Sequence, residues 1–262
     1  MSWSGGSFGA SATCVLAPNA DIMTLDGTNT WVLSSGERSL VVDPGPEIEA
    51  HLDRVSATGH DVVGVLLTHH HADHSEAARS FAERHGCGVR ALDPAYRLGS
   101  EGLGDGDVVT VGDLEVHVVA TPGHTADSLS FVVPSESAVL TGDTVLGRGT
   151  TVVAHPDGEL GAYLDSLDRL RALCSEQGIT TVWPGHGPVI EDALGALDFY
   201  VAHRRERLGQ VRDAVAQLQV GGVADAVTLP RQVVEIVYAD VDPVLWGAAE
   251  LSVRAQLAYL AG

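Results

Sequence analysis

The sequence predicts an α/β fold in which two β-sheets pack together under outer helices, followed by a small helical appendage. Three observations carry that expectation. Short β-rich runs closed by Gly, Ser and Pro recur in two blocks, and each block leads into a stretch with helical spacing. Segment 61–68, DVVGVLLT, is a near-continuous apolar run, as a strand buried on both faces would be. Beyond Glu191 the strand pattern gives way to helical patterning.

In chain order, NTWVLSS (29–35) and SLVVDPG (39–45) read as strands ending in turns, and DVVGVLLT as the buried strand after them. SEAARSFAERHG (75–86) has helical spacing with Gly86 as its stop, and VRALD (89–93) returns as a strand. DVVTVG, LEVHVVAT, SLSFVVPS and AVLTGD form a strand-rich block over residues 107–146. ELGAYLDSLDRLRALCSEQG (159–178) is an amphipathic helix with Leu164, Leu167, Leu170 and Leu173 on one stripe. TTVWPGHGPVI (180–190) is a strand running into a Gly-Pro loop. Then come a long helix over 192–219, a Gly221-Gly222 break, and helices over 229–240 and 242–262, the last with Asp242 as N-cap and Pro243 at its first position. The expected domains are 1–195 and 196–262.

The composition is that of a globular chain, with 45% hydrophobic and 19% charged residues among 262. No window approaches the length of a membrane span, and the first residues lack a basic flank and apolar core, so a cytoplasmic protein is expected. Cys14, Cys87 and Cys174 form no CxxC pair and read as reduced core thiols. The formal net charge is −20, and every one of the 15 basic residues is arginine. Such a field repels polyanions and weighs against a polynucleotide partner.

Four fragments end strands in side chains that can bind metal: THHHADH, TPGHT, TGD and PGHG. In the first, His69 and His71 can aim at one point while Asp73 and His74 aim at a neighbouring one. His124, Asp143 and His186 each follow a glycine, which lets a sharp bend present a ligand. Five imidazoles and two carboxylates suit zinc, iron or manganese, and no thiolate is among them. Seven ligands exceed the needs of one tetrahedral ion, which argues for two divalent ions, zinc first, sharing a bridging hydroxide of lowered pKa. No GxSxG elbow offers a rival nucleophile. His70 is expected to point away, and His51, His60, His85, His117, His155 and His203 to be packed or solvated.

The HxHxDH run at 69–74, with His124, Asp143, His186 and the early VVDPG, resembles the metallo-β-lactamase superfamily over residues 27–190. The resemblance implies a four-layer αββα sandwich with the metals in a groove at one edge. It implies His69, His71 and His124 on one ion, Asp73, His74 and His186 on the other, and Asp143 as the bridge. Asp43 would orient the histidine loop. GDTVLGRGTT, WPGHGPVI and HRRERL are similar to the beta-lactamase-like branch that includes a mitochondrial single-strand endoribonuclease with a winged-helix-like tail. That likeness makes Arg204 and Arg207, beside Arg148, candidates for substrate contact.

The expected reaction is attack of a metal-activated hydroxide on a carbonyl or phosphorus, with Asp73 and Asp143 as the catalytic carboxylates. A small ester, thioester or lactam suits the acidic, lysine-free chain better than single-stranded RNA, which stands as the alternative. A metal-stabilised binding scaffold is the non-enzymatic reading.

Overall fold

The computed structural model describes residues 2–220 and 227–262. The expected Gly221-Gly222 break therefore lies outside the described residues. One sheet runs in chain order through β1 (Gly6–Phe8), β2 (Ala12–Leu16), β3 (Asn29–Ser35), β4 (Arg38–Val42), β5 (Asp61–Leu66) and β6 (Val89–Arg90). Pairing is antiparallel as far as β4 and parallel thereafter. Helix α1 (Glu49–Thr58) makes the crossover from β4 to β5, and α2 (Ala72–Ser75) and α3 (Ala78–His85) make the next. The other sheet has β7 (Val108–Val111), β8 (Leu114–Ala120), β9 (Leu129–Val133), β10 (Ala138–Gly142) and β11 (Thr181–Pro184), in the order β11-β10-β9-β8-β7. Its one parallel pair, β10 with β11, is joined through α4 (Leu160–Gln177). After them come α5 (Ala193–Val220), α6 (Leu229–Val237) and α7 (Trp246–Ala261).

Period-two alternation sorts the side chains into layers. Leu33, Leu66, Val118, Phe131 and Leu140 enter the core between the sheets, where Trp31 stacks on Trp183 with ring centroids 5.2 Å apart. Their neighbours Val32, Val65 and Leu67 face outward onto α1 and α3 with Leu52, Val55 and Phe81. On the opposite side Val119, Val132 and Val139 meet Tyr163, Leu167 and Leu170 of α4 and Leu197 and Tyr200 of α5. This is the four-layer α/β/β/α sandwich expected from the sequence, with DVVGVLLT buried on both faces. The far half of α5 packs Val211 and Ala214 against Val233 and Val234 of α6 and Val253 of α7. One helix thus belongs to both the sandwich and the C-terminal bundle.

The structure differs from the sequence reading in several places. The β1–β2 hairpin was not foreseen, because its alternation is short and rich in Gly and Ser. The buried stripe of α4 is Leu160, Tyr163, Leu167, Leu170 and Cys174, with Leu164 and Leu173 on its flanks. Of the strand expected over 89–93, only Val89–Arg90 pairs. Cys87 is half-buried, whereas Cys14 and Cys174 are buried. Asp242 caps a short 3-10 turn, Pro243–Leu245, that precedes α7.

His51 is fully buried under the first sheet, within reach of Thr30 Oγ1 at 2.9 Å and the Pro44 carbonyl at 3.1 Å. Thr30 already donates to the Asp43 carbonyl, so His51 Nε2 carries the proton and donates to both. Burial, reinforced by Arg54, lowers its pKa from 6.5 to about 4. A neutral imidazole is therefore favoured in the folded state, and its contribution to stability is complete above pH 6.5. It is lost as pH falls towards 4, by up to about 3 kcal/mol. Denaturant melts of His51→Leu should show a shallower loss of stability over that interval than the parent. Parallel curves would refute the assignment.

Candidate metal centre

Five strands deliver the site from the same edge of the sandwich. Beyond their last residues lie Asp43 (after β4), Thr68 and His69 (β5), His124 (β8), Asp143 (β10) and His186 (β11). The segment after β5 is not the plain loop its composition suggests. His71 sits at the N-cap of α2, so Asp73 and His74 leave from a helical turn. The edge is held shut by Asn29, which donates its amide NH₂ to the carbonyls of Pro184 (2.9 Å) and Gly187 (2.8 Å), on either side of His186. A Cβ at Gly185 would lie 2.4 Å from Asp143 Oδ1 and 2.9 Å from His74 Cε1, so only glycine admits the two groups there.

Three imidazoles converge first. His71 Nδ1 lies 3.0 Å from His69 Nε2 and 3.1 Å from His124 Nε2. Beside them His186 Nε2 lies 3.1 Å from Asp73 Oδ2 and 3.2 Å from His74 Nε2. Asp143 stands between the two groups, with Oδ1 3.4 Å from His74 Nε2 and Oδ2 3.3 Å from His186 Nε2 and 3.8 Å from His124 Nε2. All seven residues predicted as ligands are thus brought together. Their donor atoms fall into overlapping clusters, His69–His71–His124, His69–His74–Asp143 and Asp73–His74–His186, each spanning no more than 4.8 Å.

Hydrogen bonds on the far side of each ring fix the tautomers. Thr68 Oγ1 gives its proton to Asp43 Oδ2 at 2.6 Å and so accepts from His69 Nδ1 at 3.0 Å. His74 Nδ1 donates to Asp43 Oδ2 at 2.8 Å, His124 Nδ1 to the Val152 carbonyl at 2.7 Å, and His186 Nδ1 to the Gly27 carbonyl at 3.1 Å. Four rings therefore turn Nε2 towards the cluster, the outer support that metal-binding histidines need. Asp43 also takes the Thr68 amide at 2.8 Å, and its own backbone holds a φ of 51°, a conformation rarely adopted by residues other than glycine.

The electrostatics point the same way. Burial pushes His69, His71 and His124 down, His71 to about 4, so these three offer neutral nitrogens. Burial also opposes charge on His74 and His186, yet the surrounding carboxylates outweigh it. They raise His74 well above its ordinary value and His186 to about 9. Despite its own burial Asp73 falls to about 2, chiefly through His74, and Asp143 falls well below the carboxylate range through His186 and His74. The second half of the site demands positive charge, which a proton supplies poorly and a cation well.

The donor set fits metal ions. Zinc–nitrogen bonds of about 2.0–2.1 Å on a tetrahedron place ligand nitrogens about 3.3 Å apart, close to the spacing here. Asp143 Oδ1 is buried without a hydrogen-bond partner, the oxygen a cation would satisfy. Asp43→Asn should weaken metal binding and turnover by about 10- to 100-fold, read by competition with a chromogenic chelator. Unchanged affinity would remove Asp43 from the support of His74 and His69.

Of the remaining residues singled out in the sequence, His70 turns away to Asp127 at 2.8 Å. Arg148 lines the groove above the cluster and pairs with Asp26. Arg204 is buried, donates to the Thr151 carbonyl and lies over the Tyr163 ring, with its carbon 5.0 Å from the centroid. Arg207 donates to the Val237 carbonyl at 2.8 Å and covers Tyr238. With His203, both line an adjoining hollow, which shares Thr151, Val152 and Leu245 with the groove. Thr68 was missed in the sequence, although its place directly before the histidines was a signal. The carbonyls of Gly27 and Val152, and the groove walls at 22–25 and 245–251, carried none.

Comparison with known proteins gives matches over both parts of the chain. The family model described as "Metallo-beta-lactamase superfamily" matches residues 23–175, and that described as "Beta-lactamase associated winged helix domain" matches residues 230–261. Lactamase-like protein vrtG of Penicillium aethiopicum is 33% identical, covering 91% of this chain and 81% of that protein. A beta-lactamase-like protein 2 homolog of Drosophila melanogaster is 30% identical over 94% and 86%. The crystal structure of a beta-lactamase domain protein from Burkholderia ambifaria superposes with a TM-score of 0.78 at 22% identity, covering 98% of this chain and 88% of that one.

Proposed function

The chain belongs to the metallo-beta-lactamase superfamily, with a winged-helix domain at its C-terminal end, and from that premise we propose that it hydrolyses a small ester, thioester or lactam at a two-ion centre. The observation that carries the reading is the convergence of seven donors with four ring tautomers set from behind. His69, His71 and His124 would hold one divalent ion, Asp73, His74 and His186 the other, and Asp143 both. Zinc suits the nitrogen-rich set first, iron or manganese after it. When bound, such ions supply Lewis acidity and bring the pKa of a coordinated water towards neutrality.

The chain's own residues do the rest. Asp43, Thr68 and the two backbone carbonyls keep the rings from rotating, so no reorganisation is needed during the reaction. Asp73 accepts from Thr28 Oγ1 at 3.3 Å and lines the groove, which supports a role for its carboxylate in handling the proton of the attacking water. The groove has a volume of about 530 Å³, within the usual range for small-molecule sites. Arg148 is the one arginine among its described lining residues. Arg204 and Arg207 are engaged with backbone carbonyls and aromatic rings. That leaves little to follow a phosphodiester backbone, so the RNA reading has less support.

The deciding assay compares p-nitrophenyl esters, acyl thioesters, a chromogenic cephalosporin and a labelled single-stranded RNA, before and after chelation and with zinc, iron or manganese restored. Metal-dependent turnover of one of the first three, lost in Asp73→Ala, is the expected result. Cleavage of the RNA alone would overturn the small-molecule reading. No turnover of anything would favour the scaffold.

A further inference from the structure

The groove's polar groups are unevenly placed. Its floor is the metal cluster, but its two walls are aliphatic: Ile22, Met23 and Leu25 from the segment before β3, and Leu245, Ala248 and Leu251 from the C-terminal domain. Ile22, Met23 and Leu251 are 47%, 46% and 41% exposed, large apolar side chains left in water by the fold. A single exposed leucine needs no explanation. Here residues from two unconnected parts of the chain, separated by more than two hundred positions, open onto one hollow. Arg148, the one arginine among the groove's described lining residues, is already paired with Asp26. A surface of this kind recovers free energy when an apolar ligand removes it from water.

We propose that the groove selects esters or thioesters carrying an extended apolar group next to the scissile carbonyl, and that the winged-helix domain supplies one of the selecting walls. The inference rests on the hydrolase reading above and goes further, because it names the part of the substrate that is recognised and the residues that recognise it. Floor and walls divide the labour. The ion cluster takes the reacting carbonyl, and the aliphatic walls take the chain, whose burial orients the bond to be broken. Leu245 and Leu251 lie on the 3-10 turn and on α7, so the C-terminal domain takes part in substrate choice instead of acting only as a packing partner for α5.

Two substrate series test this on the intact protein. One varies the acyl chain from acetyl to hexanoyl on a constant p-nitrophenyl or thiol leaving group. The other varies the alcohol or thiol chain on a constant acetyl group. In at least one series kcat/KM should rise about threefold per methylene, or about 10²-fold across four. Leu251→Ser and Met23→Ser should flatten that rise, read as the ratio of longest to shortest substrate, which general loss of folded protein does not move. A second readout needs no turnover. The neutral dye N-phenylnaphthylamine should fluoresce on binding the metal-free protein and be displaced by octanoate but not by acetate, and Leu251→Asp should abolish the signal.

Flat ratios in both series, with esters still hydrolysed, would overturn the selectivity while leaving the hydrolase reading intact. Failure of every ester and thioester, with dye displacement still sensitive to Leu251→Asp, would sink the hydrolase reading and leave the apolar ligand site standing. No dye signal and flat series together would dismiss the inference.

Discussion

Asp143→Ala should lower kcat/KM for the best substrate by about 10³-fold or more and reduce the bound metal per chain. Asp143 lies within 4 Å of ring nitrogens from both halves of the site, and its Oδ1 has no hydrogen-bond partner. Its removal subtracts a full negative charge from a buried cluster in which the carboxylates raise the pKa of both His74 and His186. The several kcal/mol that a metal centre contributes to the transition state correspond to about three powers of ten at 1.36 kcal/mol each. Because the residue lies at a strand end outside the hydrophobic core, the variant should keep its sheet content by circular dichroism. Metal analysis and single-substrate kinetics together decide it. A variant with full metal content and full turnover would end the role assigned to Asp143.

Trp31→Ala should cost about 3–5 kcal/mol of stability, as large-to-small replacements of buried aromatic residues do. Trp31 is 2% exposed and stacks on Trp183 across the two sheets. It also donates Nε1–H to the Pro184 carbonyl at 3.1 Å, two residues before His186. The replacement leaves a cavity between the layers and removes one of the two side-chain donors to the Pro184 carbonyl, leaving it to Asn29 alone. For a chain of this size the loss corresponds to a fall in melting temperature of roughly 10 °C, measured at fixed metal concentration. Since the same bond steadies the strand that carries His186, metal affinity should weaken as well. A melting temperature within about 2 °C of the parent would show that the inter-sheet core does not depend on this contact.

These two residues also separate what could be read along the chain from what could not. Ligand chemistry was legible because it is written in residue types and short spacings. HxHxDH has few other uses at a strand end, and a glycine before His124, Asp143 and His186 announces a bend. The layered fold was legible because alternation with period two and period 3.6 sorts apolar residues onto faces whatever the partner. The helical turn at Ala72–Ser75 was hidden, since four residues show no periodicity. So was the β1–β2 hairpin, whose pairing depends on β3 lying beside it.

The amino-acid order alone determines which groups can hold a cation and which runs become strands, because both are local properties of side-chain chemistry and repeat. It carries no record of the two carbonyls, Gly27 and Val152, that set the tautomers of His186 and His124, since every residue has a carbonyl. Nor does it show that Met23 and Leu251 line one groove. Those arrangements come from packing two sheets and a helical bundle at one edge, where residues remote in sequence become neighbours through the burial of surfaces they do not share.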